Sequence, residues 1–164
     1  MIAEINPQDI VFERRIQGLC RKPFYGHPHG CPNYGKKEGC PPGLPLIDKM
    51  LDFRSNIYVI YTPFNLGEFA ERMKQAHPNW NNRQCYNPRI WQPTARKMHR
   101  ADVTHFLETH ECMIVNGSPE GHGVNLTDLM AKIGITLDWK WPPEHRIENK
   151  TYRISLGGRQ IQKM

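Results

Sequence analysis

The sequence has no long apolar segment and no export signal. Within its 164 residues, no run of apolar side chains approaches the roughly 18 that a membrane-spanning helix needs. The first residues, MIAEINPQDIVFERR, carry acidic side chains early and lack the apolar core of a signal peptide. We therefore expect a cytoplasmic protein without a membrane partner.

The five cysteines lack the pairing that disulfide frameworks and conventional metal fingers use. Their number is odd, and disulfides are rare in a reducing compartment. No two of them are spaced C-x2-C, the arrangement that places two thiolates on one tight turn in zinc ribbons and ferredoxins. In a cytoplasmic chain, clustered cysteines are more often ligands or catalytic groups than disulfide partners.

The chain also lacks an internal repeat, a linker and a block of basic residues. Its length suits one domain, which we expect to span residues 1–164. The net charge of +6 favours a polyanionic partner. Basic and aromatic residues interleave between positions 83 and 100, which can serve nucleotide or nucleic-acid binding through pairing and stacking. These residues are Arg83, Tyr86, Arg89, Trp91, Arg96, Lys97 and Arg100. The alternative is that Trp91 packs on the core beside a solvated helix face.

Helical and extended patterns alternate along the chain, which predicts an α/β fold. We expect helices over residues 44–53, 65–77, 94–110 and 125–134, and strands over residues 56–64, 111–115, 135–139 and 151–156. Asn65 and Asn125 are expected to cap their helices, with Glu68 completing a capping box at the first. The order of elements predicts a single layered domain with a mixed sheet: parallel crossovers in the middle, an antiparallel edge at the C-terminus, and helices packed on the sheet.

The segment of residues 20–43 is expected to be a loop shaped by a metal. It holds Cys20, Cys31 and Cys40 in the spacing C-x10-C-x8-C, among glycines and prolines that suit neither a helix nor a strand. A glycine precedes and a proline follows both Cys31 and Cys40, so the backbone can pass close to a metal and then turn. Ligands delivered from separate turns favour an iron–sulfur cluster, expected to be [4Fe-4S], over one ion. The alternatives are Zn²⁺ with His27 or His29 as an added ligand, and buried free cysteines.

Two cysteines are candidates for the fourth ligand of such a cluster. Cys112 opens a predicted strand and Cys85 lies in a predicted loop, and either could complete a four-cysteine site. If neither does, one iron stays open to a substrate, as at catalytic zinc sites. Cys112 could instead be a core residue of its strand.

Glu120 and His122 are the candidate acid–base residues. They lie in the sequence SPEGHGVN, between a predicted strand and the helix that begins near Asn125. Ligands in α/β folds bind where strands end and helices begin, and glycines let the backbone approach them. The alternative is a tight turn that needs its glycines for conformation alone.

Three segments resemble a known family. CPNYGKKEGCPP at residues 31–42, PEGHGVN at residues 119–125 and GITLDWKWPP at residues 134–143 are similar to the small family of predicted metal-binding proteins with a Cys-Pro-Pro loop. The resemblance implies a metal, expected to be iron–sulfur, at Cys20, Cys31 and Cys40. The commoner family pattern has a further C-x2-C-x2-C run before the Pro-Glu motif, where this chain keeps only Cys112. The resemblance therefore leaves Cys112 as the fourth position and does not support a second cluster.

Two classes of function follow from these features. The first is an iron–sulfur enzyme that carries out a redox reaction, sulfur transfer or desulfuration on a small or nucleotide-like substrate. The second is a non-catalytic module, stabilised by zinc or a cluster, that binds nucleic acid or a protein partner. An electron-transfer subunit with a protein redox partner is a third alternative.

Overall fold

A four-stranded sheet forms the centre of the molecule. The computed structural model describes residues 1–24 and 26–162. The strands are β1 (Ile2–Ile5), β2 (Ile57–Asn65), β3 (Ile114–Asn116) and β4 (Lys150–Gly158), arranged in the order β1-β2-β4-β3. All three neighbouring pairs are antiparallel.

The expected α/β layering is confirmed, but the mixed sheet with parallel pairs was wrong. β2 and β3 do run in the same direction, as a helical crossover between them predicts. β4 lies between them and pairs antiparallel with both, so no parallel pair forms. The last strand is therefore an interior strand rather than the expected edge.

Five α-helices surround the sheet within the described residues. They are α1 (Arg14–Gln17), α2 (Leu66–Ala76), α3 (Asn82–Cys85), α4 (Pro88–Thr109) and α5 (Leu126–Lys132). Short 3-10 turns occupy Pro7–Asp9, Gly18–Arg21, Ile47–Lys49 and Pro119–His122. Across the described helices, none combines the length and apolar character needed to cross a bilayer.

The two faces of the sheet carry different layers. Ile57, Val59 and Leu156 belong to a core cluster that also contains Leu129 and Met130 of α5. Since side chains alternate along a strand, the residues between them face α4. There the ring of Tyr58 contacts Phe106 of α4, and Phe106 is fully buried.

The expected helix over residues 44–53 reduces to the single turn Ile47–Lys49. Its apolar residues Ile47 and Leu51 are fully buried, so their four-residue spacing reflects burial rather than a helix. Leu51 also forms an isolated antiparallel bridge with Gln160, so the chain pairs there with a distant segment instead of continuing as a helix.

The expected strand over residues 135–139 is absent from the described sheet. This segment instead follows the end of α5, where Ile135 N–H donates to the carbonyl of Met130 over 2.9 Å. Further on, Trp139 Nε1–H donates to the hydroxyl of Thr127. The segment thus packs along the helix that precedes it.

Of the two expected helix caps, the one at Asn125 is confirmed and the one at Asn65 is wrong. Asn125 Oδ1 accepts from the backbone N–H of Asp128 at 3.1 Å, as expected for α5. Asn65 makes no side-chain cap to α2, because it is the last residue of β2 and pairs with Lys150. A capping box occurs instead at α3, between Asn81 and Gln84.

Candidate metal centre

The cysteine loop begins where a short helix tightens into a 3-10 turn. Cys20 lies in the turn Gly18–Arg21 that continues α1. The backbone N–H of Cys31 donates to the carbonyl of Cys20 over 2.7 Å, which closes the first part of the loop. Gly30 has φ +84°, and a Cβ there would lie 2.6 Å from the backbone of Arg21. The glycine before Cys31 therefore permits a close approach of two backbone segments, and this approach brings Cys31 to Cys20.

The second part of the loop is a series of turns that carries Cys40. The N–H of Cys40 donates to the carbonyl of Lys37, and the N–H of Gly35 donates to the carbonyl of Pro41 over 2.8 Å. Gly39 is the third residue of the turn from Lys37 to Cys40 and adopts φ +81°, a conformation that favours glycine. Cys20, Cys31 and Cys40 are each partly buried. The expected loop without regular structure is confirmed for the described residues.

Cys31 and Cys40 lie close enough to Cys20 to act on the pKa of its thiol. Burial is the main cause that raises the pKa of the Cys20 thiol. Negative charge on Cys31, Glu120 and Cys40 raises this pKa further, in that order. Without a cation these surroundings therefore favour the neutral thiol of Cys20, and a bound metal would favour its thiolate.

The thiols do not converge on a single point. Among residues 1–24 and 26–162, no group of three His, Cys, Asp or Glu side chains is arranged to hold one metal ion. A structural zinc site requires four donors around one ion. A cluster receives each thiolate on a different iron, so it tolerates wider separation of the ligands. The three thiols would therefore have to move before they could bind one ion between them.

A basic groove of about 580 Å³ lies beside Cys31. Its lining includes Arg21, His27, His29, Tyr34 and Lys36. His29 is exposed, whereas His27 is partly buried and its ring contacts Phe24 at 4.8 Å between centroids. The two histidines thus lie next to one of the three cysteines, on a surface that suits a negatively charged group.

The remaining cysteines occupy different environments. Cys85 is 4% exposed and belongs to the core cluster that contains Phe64 and Trp91. Cys112 is exposed, has φ +61° and lies between α4 and β3. The alternative that Cys112 is a core residue is therefore wrong. Cys112 is also not among the groups that shift the pKa of Cys20.

Glu120 and His122 lie on the 3-10 turn Pro119–His122, and the structure brings only Glu120 to the cysteines. His122 is buried, and its Nδ1 donates to the carbonyl of Pro45 over 2.8 Å. Gly123 has φ +85°, and a Cβ there would lie 2.7 Å from the backbone oxygen of Glu13. The turn therefore needs this glycine for its conformation, in line with the alternative of a tight turn drawn from the sequence.

The carboxyl group of Glu120 lies in a crowded recess but keeps contact with solvent. Its side chain is exposed, so the desolvation that raises its pKa comes from surrounding atoms rather than from enclosure. The positive charges of Arg153 and His122 act on this pKa in the opposite direction. Glu120 is thus an accessible carboxyl group whose charge acts on the pKa values of both Cys20 and Arg153.

Gln17 is a positioning residue that the sequence did not reveal. Its side chain is 2% exposed, and Nε2 donates to the carbonyls of Leu44 and Gly121, each over 3.0 Å. These bonds tie the end of the cysteine loop to the turn that carries Glu120. A polar residue that ends a short helix resembles many surface residues, so no local signal distinguishes it.

The aromatic residues of the region 83–100 belong to the core. Tyr86 is fully buried and Trp91 is 6% exposed. The ring of Trp91 stacks on Phe64 at 5.6 Å, and its Nε1 donates to the carbonyl of Tyr86. These two rings are therefore not available to stack on bases, whereas Arg96, Lys97 and Arg100 are exposed on α4.

Comparison with known proteins gives one match. A family model described as "Predicted metal-binding protein (DUF2284)" matches residues 3–154. This range includes all five cysteines and the turn Pro119–His122. Searches of the curated proteins and of the solved structures found no match.

Proposed function

This chain belongs to the DUF2284 family of predicted metal-binding proteins, and we propose that its metal is a [4Fe-4S] cluster held by Cys20, Cys31 and Cys40. Two observations support this proposal: the 2.7 Å backbone hydrogen bond that holds Cys31 beside Cys20, and the influence of Cys31 and Cys40 on the pKa of Cys20. Thiolates so placed repel one another, and a bound cationic cluster offsets this repulsion. The same loop is tied through Gln17 to the turn of Glu120, which supports a single domain over residues 1–164.

Zn²⁺ is the second candidate, because His27 and His29 line the same groove as Cys31. A zinc site would need a histidine and the thiols to move toward a common point. In the described residues no such group of three donors is present. A cluster receives each thiolate on a different iron and so accepts more widely spaced ligands, which favours it over Zn²⁺.

We propose that the cluster serves a redox or sulfur-transfer enzyme in the cytoplasm. Such a cluster supplies electrons, or an iron that can bind a substrate atom. Glu120 is exposed beside Cys20, and its raised pKa suits a group that gives a proton to a substrate. His122 holds the turn in place through Pro45. Its role is therefore positioning rather than the proton transfer expected from the sequence.

The groove beside Cys31 is the proposed approach to the metal. Arg21 and Lys36 carry positive charge there, and no acidic side chain is part of its described lining. A nucleotide-like substrate or an acidic surface of a redox protein has the complementary charge. The fourth iron is proposed to be held by Cys112 or left open to the substrate.

Anaerobic purification followed by absorption spectroscopy and analysis of iron and sulfide tests the metal. A brown protein with about four irons and four sulfides per chain is the expected result. Cys20→Ser, Cys31→Ser and Cys40→Ser should each remove most of the iron. Cys85→Ala, a change in the core away from the groove lining, is the control and should retain it.

A colourless protein with one Zn²⁺ would refute the cluster in favour of zinc. If iron is bound, Cys112→Ser tests the fourth ligand. Loss of iron assigns Cys112 as a ligand, and full retention leaves the fourth iron open or bound by a non-cysteine group.

A further inference from the structure

A second cavity lies between α4 and the sheet, and its lining, as far as the structure describes it, contains no cysteine. Its volume is about 600 Å³, within the range of pockets that hold small molecules. Part of its wall is apolar and consists of Val103, Leu107, Met113, Ile114 and Val115. These side chains come from α4, from β3 and from the residue that precedes β3.

Three arginines give the cavity its charge. Arg96 and Arg100 come from α4 and Arg153 comes from β4, and no acidic side chain belongs to the described lining. Arg96 and Arg100 are exposed, whereas Arg153 is partly buried. The cavity therefore combines a positively charged part with an apolar wall.

Arg153 is the partly buried arginine of the lining, and its environment differs from that of the other two. Its Nε is buried and has no hydrogen-bond partner among the described residues. Burial lowers the pKa of Arg153 and the charge of Arg96 lowers it further, while Glu120 raises it. The guanidinium groups of Arg153 and Arg96 thus lie close enough to repel each other, and an anion between them would offset this repulsion.

The polar floor of the cavity is a fixed chain of hydrogen bonds. Thr62 donates its hydroxyl hydrogen to Asp102 Oδ2, so its oxygen accepts from His99 Nδ1 over 2.8 Å. His99 Nε2 is then the acceptor for the hydroxyl of Ser155 at 2.6 Å. Ser155 is 1% exposed. These hydrogen bonds use the polar atoms of the floor and hold its side chains in place. Recognition of a ligand is therefore left to the arginines.

We propose that this cavity binds a small organic anion, with a phosphate or carboxylate head between the three arginines and an apolar body against α4 and β3. Guanidinium groups pair with both heads through paired N–H donors. The apolar wall distinguishes such a ligand from an inorganic ion, since burial of its body adds hydrophobic stabilisation. The proposal does not depend on the metal centre, although the charge of Glu120 acts on the pKa values of both Arg153 and Cys20.

Isothermal titration calorimetry of the whole protein with phenyl phosphate tests the site. Benzoate is the carboxylate probe, and inorganic phosphate and phenol represent the two halves of phenyl phosphate. We expect one molecule of phenyl phosphate or benzoate per chain, bound more tightly than either half. The more tightly bound of the two probes identifies the head group.

Variants locate the binding. Arg96→Gln and Arg100→Gln, both at exposed positions, should each weaken probe binding about tenfold or more. Arg89→Gln on the same helix lies outside the cavity lining and should leave affinity unchanged. Leu107→Ser should weaken phenyl phosphate and leave inorganic phosphate unaffected, because it alters only the apolar wall.

Two results would overturn the proposal. The first is no binding of phenyl phosphate or benzoate at millimolar concentration. The second is an affinity that depends on Arg21→Gln rather than on Arg96→Gln, because the probe would then occupy the groove beside the cysteines. Retained circular dichroism of each variant excludes unfolding as the cause of lost binding.

Discussion

Replacing His99 should make the stability of the protein less sensitive to mild acid. The imidazole is 7% exposed and hydrogen bonded to Thr62 and Ser155. Burial lowers its pKa from 6.5 to about 4, and the positive charge of Arg153 acts in the same direction. Asp102 opposes these effects without cancelling them. The fold thus holds a neutral histidine.

The sign of the pH dependence follows from this depressed pKa. The unfolded chain takes up the proton near pH 6.5, whereas the folded protein takes it up only near pH 4. The stabilisation is therefore complete above pH 6.5 and is lost as the pH falls toward 4. With these two pKa values, proton uptake by His99 on unfolding lowers the free energy of unfolding by about 2 kcal/mol between pH 8 and pH 5.

Urea denaturation between pH 5 and pH 8, followed by tryptophan fluorescence, measures this difference. Between pH 8 and pH 5, wild type should lose about 2 kcal/mol more stability than His99→Gln does. His105→Gln, at an exposed position on the same helix, is the control and should follow wild type. Parallel losses in wild type and His99→Gln would refute the reasoning, since the buried imidazole would then not differ between the folded and unfolded states.

Two further predictions concern the cysteine loop and the aromatic core. Gly30→Ala should lower metal content and cost roughly 1–3 kcal/mol in thermal unfolding, because its Cβ would clash with backbone. Gly39→Ala is the matched control: it has a similar positive φ but open space around it, so equal losses would refute a role for the clash. Tyr86→Phe removes a hydroxyl bonded to His145 and Asn149 and should cost about 1 kcal/mol by urea denaturation; an unchanged midpoint would contradict this.

Local patterns predicted most elements but not their pairing. The β-branched and aromatic run before Asn65 became β2, with a shift of one residue at its ends. The insertion of β4 between β2 and β3 depends on contacts between distant parts of the chain, which no local pattern encodes. The spacing of Ile47 and Leu51 predicted a helix, yet both residues are buried without one.

The cysteine loop was recognisable because glycine at a tight turn leaves a local signal. Gly30 is such a position, and it brings Cys31 to Cys20. The approach of Glu120 to Cys20 is tertiary and had no signal of this kind. A signal for the second cavity was present in β4, where Arg153 and Ser155 alternate with apolar neighbours and thus place polar groups on one face of the strand.

The interior position of β4 has a consequence for synthesis of the chain. Ribosomes make β4 after every other strand of the described sheet, yet it supplies the hydrogen bonds that join β2 to β3. Until Lys150–Gly158 emerges, the nine residues of β2 have an open edge on that side. An unpaired apolar edge can pair with another chain. Nascent chains stalled before residue 150 should therefore be the species most prone to aggregate or to recruit a chaperone.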